Sequence, residues 1–154
     1  MTLINRNKKS IERRRGVAAA EMAVVSPLLM LLLLAAIDVG QYANVGQVVS
    51  NASRIGARTA VRNDTADTSS VEAAVRTYIA ENYPNVSAGA ISSAASINVS
   101  GGTGPISGGA LSSQAEGSSI TVTVSLQFDT VRWLNGITSL GGRTITASTL
   151  MRRE

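Results

Sequence analysis

Residues 17–37, VAAAEMAVVSPLLMLLLLAAI, are 21 consecutive positions with a single charge, Glu21. As a helix this segment spans roughly 30 Å, the thickness of a bilayer core. Its leucines, valines and isoleucine favour insertion, at about −0.3 to −0.6 kcal/mol each near the centre. Glu21 opposes insertion, but near one end of the span the cost is smaller than at the centre. Pro27 lacks an N–H and is expected to bend or loosen the helix.

The flanks orient this segment. Arg6, Lys8, Lys9, Arg13, Arg14 and Arg15 precede it, and the next basic residue is Arg54. The positive-inside rule then predicts a single-pass protein of the inner (cytoplasmic) membrane, with its N-terminus cytoplasmic and its C-terminus extracytoplasmic. Residues 1–16 carry a net charge of +5 and the remainder −1, so the basic character belongs to the leader. A body without net positive charge argues against nucleic-acid binding. An ordinary secretory signal would place its small-residue cleavage site after the apolar core. Here Ala18 to Ala20 come before it, and Ala35-Ala36 is a weak candidate on the correct side.

Beyond Gly16 there is no His, Cys or Lys. The chain therefore has no thiolate nucleophile, imidazole base, Schiff-base amine or usual zinc ligand there. The expectation is a non-enzymatic protein with no catalytic residues, metal site, cofactor or small-molecule substrate. Asp64, Asp67, Glu72 and Glu81 are scattered and read as solvated carboxylates. GGTGPISGG at 101–109 lacks the Lys and Ser/Thr of a phosphate-binding loop.

The reading along the chain is α+β: a long N-terminal helix, a short helix and a small antiparallel sheet. It divides into a leader (1–16), a transmembrane helix (17–37), an amphipathic extension (38–62) and an extracytoplasmic domain (63–154) with a Gly/Ser-rich loop at 101–119. In the extension, Val45, Val48, Ala52 and Ile55 make an apolar stripe, with Arg54, Arg58 and Arg62 on a neighbouring face. Gly40, Gly46 and Gly56 allow close approach of another helix, and Asn63-Asp64 is expected to end the element. A helix over 17–62 would be roughly 70 Å long, so its far half must project or pack on protein. A second helix is predicted at 70–83, with a Ser69/Glu72 capping box and a stop at Pro84. The clearest strand runs from Ile120 to Phe128, where apolar and polar residues alternate; shorter strands are expected at 95–100 and 143–151.

A basic stretch ending in Gly16, followed by Val17 and then Glu21 inside an apolar run, resembles the processing site of type IV prepilins. The resemblance implies that a prepilin peptidase cuts after Gly16. Val17 then becomes the mature N-terminus, and its ammonium pairs with Glu21 of a neighbouring subunit. Gly16 suits an extended backbone in a protease cleft because it has no side chain. The segment AAAEMAVVSPLLMLLLLAAIDVGQ further resembles the start of TadE-like proteins, minor pilins of tight-adherence (Tad) pili. Glu21 and Val25-Ser26-Pro27-Leu28-Leu29 match, as does the Arg-x-Gly-Ala-Arg element, Arg54-Ile55-Gly56-Ala57-Arg58. Met22 stands where many of these proteins have an aromatic residue.

The resemblance implies a minor pilin or pseudopilin that helps initiate, cap or modify a filament of a smaller major pilin. Its implied partners are the inner membrane, the prepilin peptidase, other pilin subunits and the Tad membrane platform. Arg54, Gly56 and Arg58 form a candidate helix-interface motif. The alternative is an unprocessed signal-anchor protein whose outer domain binds or adheres.

Overall fold

The computed structural model describes residues 5–62, 67–102, 104–106, 111–133 and 140–153, with side chains from Val17 onward. Helix α1 (Asn5–Val61) runs unbroken through Pro27. It is followed by α2 (Thr68–Asn82), α3 (Ala88–Ala94), β1 (Ala95–Gly101), β2 (Gly104–Pro105), a 3₁₀ turn at Leu111–Ser113, β3 (Ser119–Gln127), α4 (Phe128–Val131) and β4 (Thr144–Arg152). The four strands form one antiparallel sheet in the order β2-β1-β3-β4. The architecture is the α+β arrangement that the pattern predicts.

The sheet has one apolar face because side chains alternate along each strand. Ile120, Val122, Val124 and Leu126 of β3 are fully buried. Their cross-strand partners include Val99 and Ala95 of β1 and Ile145 of β4, so the apolar residues of three strands share that face. The distal half of α1 covers it with Val45, Val49, Ala52, Ala57 and Ala60, and α2 adds Val71, Val75 and Ile79. Among the stripe residues, Val45, Val48 and Ala52 are buried and Ile55 is half-buried. The Ser53 hydroxyl meets the Thr149 hydroxyl at 2.7 Å, tying α1 to β4 where polar atoms reach the interior.

Of Gly40, Gly46 and Gly56, it is Gly56 that comes closest to the rest of the fold. A Cβ there would lie 2.7 Å from Val75 Cγ2 and 3.0 Å from Val122 Cγ1. At Gly40 and Gly46 a Cβ would meet nothing within 4 Å. The close approach expected of these glycines is thus made at Gly56, and to helix α2 and strand β3 of the same chain.

The end of α1 falls one residue from the expected position 62, whereas other details differ from expectation. α1 ends at Val61, and Asn63-Asp64, expected to end it, lie outside the described residues. The cap of α2 is Asp67, not Ser69: its carboxylate accepts from the Ser70 N–H and from the Ser69 and Ser70 hydroxyls. Those bonds, from the Ser69 hydroxyl first and the Ser70 N–H next, hold the Asp67 carboxyl below its usual range. Glu72, freed from a capping box, sits 3.6 Å from Arg76 instead. Phe128 does not extend β3; it opens α4 while its N–H bonds to the Arg143 carbonyl. Finally, α3 has no counterpart in the sequence reading, and the expected 101–119 loop contains both β2 and the 3₁₀ turn.

Tyr83 closes α2, and its hydroxyl is buried with no hydrogen-bond partner among the described residues. Burial, then the neighbouring Tyr78, push its pKa up from 10.0. An acid whose native pKa is raised binds its proton more tightly folded than unfolded. Its contribution is present below the unfolded value and is lost as pH rises from about 10 through the native value. Tyr83→Phe should therefore leave the protein no less stable at neutral pH, with a gain of about 1 kcal/mol from removing an unsatisfied group. It should also reduce the loss of stability above pH ~10. Chemical denaturation at neutral and alkaline pH checks both.

An exposed apolar helix and its junction with the globular domain

The first part of α1 carries a continuous apolar surface that its own chain does not cover. Val17, Met22, Val24, Val25, Leu28, Leu29, Met30, Leu31, Leu32, Leu33 and Ile37 are all exposed. α1 is long and apolar enough to cross a membrane, and its most apolar stretch is almost wholly exposed rather than folded into the core. A core helix of a water-soluble domain would be covered; this one needs lipid or other helices around it. Exposed Glu21 sits in this surface four residues after Val17. On a helix that separation is one turn, about 6 Å along the axis, and it puts both on one face.

Gly16 lies inside α1, so the boundary between basic leader and apolar segment is not a secondary-structure boundary. The backbone at Gly16 is helical rather than extended, so an extended conformation there requires the helix to open locally. Glycine makes that opening easier, by about 1 kcal/mol relative to alanine.

Higher on α1, the Arg-x-Gly-Ala-Arg element splits between two environments. Gly56 and Ala57 are buried against α2 and the sheet, while Arg54 and Arg58 are exposed. With Ile55, Val61, Met151 and Arg152 these two arginines line an open groove of about 530 Å³ beside the end of β4. Arg62 is exposed at the end of the helix.

The junction between the apolar segment and the domain is built from residues that the sequence reading did not single out. Asp38, the first residue after the apolar run, is fully buried. Arg132 donates to it twice, Nε to Oδ1 at 2.9 Å and Nη2 to Oδ2 at 2.6 Å. The Arg132 guanidinium also stands 5.6 Å from the centroid of the Phe128 ring, and Tyr42 meets that ring edge-on at 5.2 Å. Gln41 completes the clamp: its amide donates to the Val131 carbonyl at 2.8 Å and accepts from the Trp133 N–H at 3.2 Å. One turn of α1 thereby holds α4 and the residues after it. A lone acid next to an apolar run was the available signal. Its partner lies 94 residues away, and nothing local points there.

Among the described residues no cluster of three or more His, Cys, Asp or Glu is placed to hold a metal. Comparison with curated proteins and with solved structures gave no match. The family model described as TadE-like protein matches residues 16–58. That stretch contains Gly16, Glu21, Pro27, the exposed apolar run, the Asp38–Gln41 junction and the Arg54–Arg58 element; over these 43 of the chain's 154 residues the sequence is similar to the TadE-like family.

Proposed function

We propose that this protein is a minor pilin or pseudopilin of a Tad-type pilus or secretion apparatus, processed by a prepilin peptidase between Gly16 and Val17. The observation that carries this reading is the uncovered apolar surface of α1 with one carboxylate, Glu21, a single turn from Val17. The TadE-like match over the same stretch supports it. In the membrane the apolar surface is solvated by lipid, with the leader cytoplasmic and the domain outside. Cleavage removes the +5 leader that holds the N-terminus at the inner face. In an assembly, neighbouring helices replace the lipid. The new Val17 ammonium of one subunit then neutralises Glu21 of the next, relieving the cost of a carboxylate in an apolar medium and setting the axial register. The role is structural, with pilin subunits and the Tad membrane platform as partners.

A second reading is favoured by the unbroken helix through Gly16: an uncleaved signal-anchor protein whose outer domain binds a partner. Mass spectrometry of the membrane fraction from cells with the peptidase separates the two. Processing predicts a chain beginning at Val17. Gly16→Phe should then retain the full-length mass and abolish incorporation into surface fibres. A full-length wild-type chain with peptidase present overturns the proposal.

A further inference from the structure

Trp133 is the chain's only tryptophan, and it is 79% exposed. An exposed tryptophan on a water-soluble surface leaves a large apolar ring in solvent, yet this one follows a tightly fixed segment. The Arg132 side chain beside it is buried on Asp38, and the Gln41 amide engages both the Val131 carbonyl and the Trp133 N–H. The polar groups of this loop that most resist a poorly hydrated setting are satisfied inside the molecule, which is what entry into an apolar boundary requires.

Its height on the helix is set by the same contacts. Gln41 lies four residues beyond Ile37, the end of the apolar run, a rise of about 6 Å. A bilayer's hydrocarbon core is ~30 Å thick and the whole bilayer ~40–45 Å, leaving an interfacial belt of ~5–8 Å on each side. With residues 17–37 filling the core, the Trp133 backbone falls in that belt. Tryptophan is enriched there because its indole offers an apolar body and one polar N–H. Ile37 and Val39, at the end of the span, are both exposed.

We infer that Trp133 is a lipid-interface anchor: it inserts among the headgroups of the extracytoplasmic leaflet and seats the globular domain on the membrane surface before assembly. This rests on the reading of residues 17–37 as a membrane span. The polar clamp around Gln41 fixes the depth, and the indole supplies the lipid contact.

Because the chain has one tryptophan, its emission reports this site directly. The full chain is reconstituted into phosphatidylcholine/phosphatidylglycerol vesicles at decreasing protein-to-lipid ratios, with Trp133→Phe as the background control. The expected result is emission shifted to shorter wavelength than in water. Quenching should be stronger by lipids brominated near the headgroup than by lipids brominated near the chain end, and weak by aqueous iodide. These properties should not change on dilution in lipid. Emission at the aqueous wavelength with full iodide access overturns the inference. So does a shift that vanishes on dilution, since the ring then contacts another subunit, and so does preferential quenching from the bilayer centre. Vesicle flotation separates the two readings. If the chain floats with lipid but Trp133 remains aqueous, only the anchor is wrong; if it does not float, the membrane span itself is wrong.

Discussion

Asp38→Ala should destabilise the globular domain by about 3–5 kcal/mol. The Arg132 side chain is almost wholly buried and its guanidinium is matched by two bonds to Asp38, so truncation leaves a charge with its main partner gone. Asp129, 3.9 Å from the guanidinium and half exposed, gives weak compensation. A loss of this size is a large fraction of the ~5–15 kcal/mol that holds an ordinary domain together. Asp38→Asn keeps one acceptor and should lose less. The double variant Asp38→Leu/Arg132→Met should recover most of the loss, because well-packed apolar residues often replace a buried ion pair at little cost. Denaturant unfolding of the full chain in detergent, followed by circular dichroism, measures all three. If Asp38→Ala is no less stable than the wild type, the pair contributes nothing to the fold.

The consequence reaches beyond stability. Asp38 and Gln41 sit on the turn where the apolar span becomes the amphipathic half of α1, and both grip the segment 131–133. Breaking that grip should free the segment 131–133 from the first turn after the apolar run, while the distal half of α1 stays packed in the core.

The elements with strong period were legible. α1 announced itself by an apolar run and then a 3-4-3 stripe, and β3 by strict alternation; both periods report which face a chain buries. The ends of elements were less so. Asp67 and Ser69 are both good cap residues, and the Ser69/Glu72 spacing matched a known box. The carboxylate nevertheless wins, accepting from three donors at once. α3, AGAISSA, has small residues and one buried apolar side chain, Ile91, so it carries no amphipathic signal. Phe128 kept the alternation of β3 while the backbone had already turned. The Asp38–Arg132 clamp was out of reach because its halves lie at opposite ends of the chain and pair only once the sheet is folded against α1. In the candidate site, the spacing of Gly16, Val17 and Glu21 was visible in the sequence. That α1 runs helically through Gly16 was not, since the charged leader gave no apolar period to read.

Gly56→Leu should be the most damaging substitution on the domain half of α1, costing more than about 3 kcal/mol through overpacking and displaced neighbours. Even the first added atom is too close: 2.7 Å from Val75 Cγ2 and 3.0 Å from Val122 Cγ1. Valine side chains rotate reluctantly at χ1, and both are fully buried, so neither can step aside without moving α2 or β3. Gly56→Ala sets two effects against each other. Alanine favours the helix by about 1 kcal/mol over glycine, whereas overpacking a filled core costs about 1–3 kcal/mol. The net expectation is a loss of up to about 2 kcal/mol. Gly46→Ala on the same helix isolates the first effect, since a Cβ there meets nothing within 4 Å, and it should gain up to about 1 kcal/mol. Adding Val75→Ala to Gly56→Ala should give a loss smaller than the sum of the two single losses, because the methyl that clashes is the one removed. Denaturant midpoints of the full chain in detergent read the set. If Gly56→Ala and Gly46→Ala were equally stabilising, the glycine of the Arg-x-Gly-Ala-Arg element would not be needed for packing within the chain, and its requirement would have to come from a contact with another subunit.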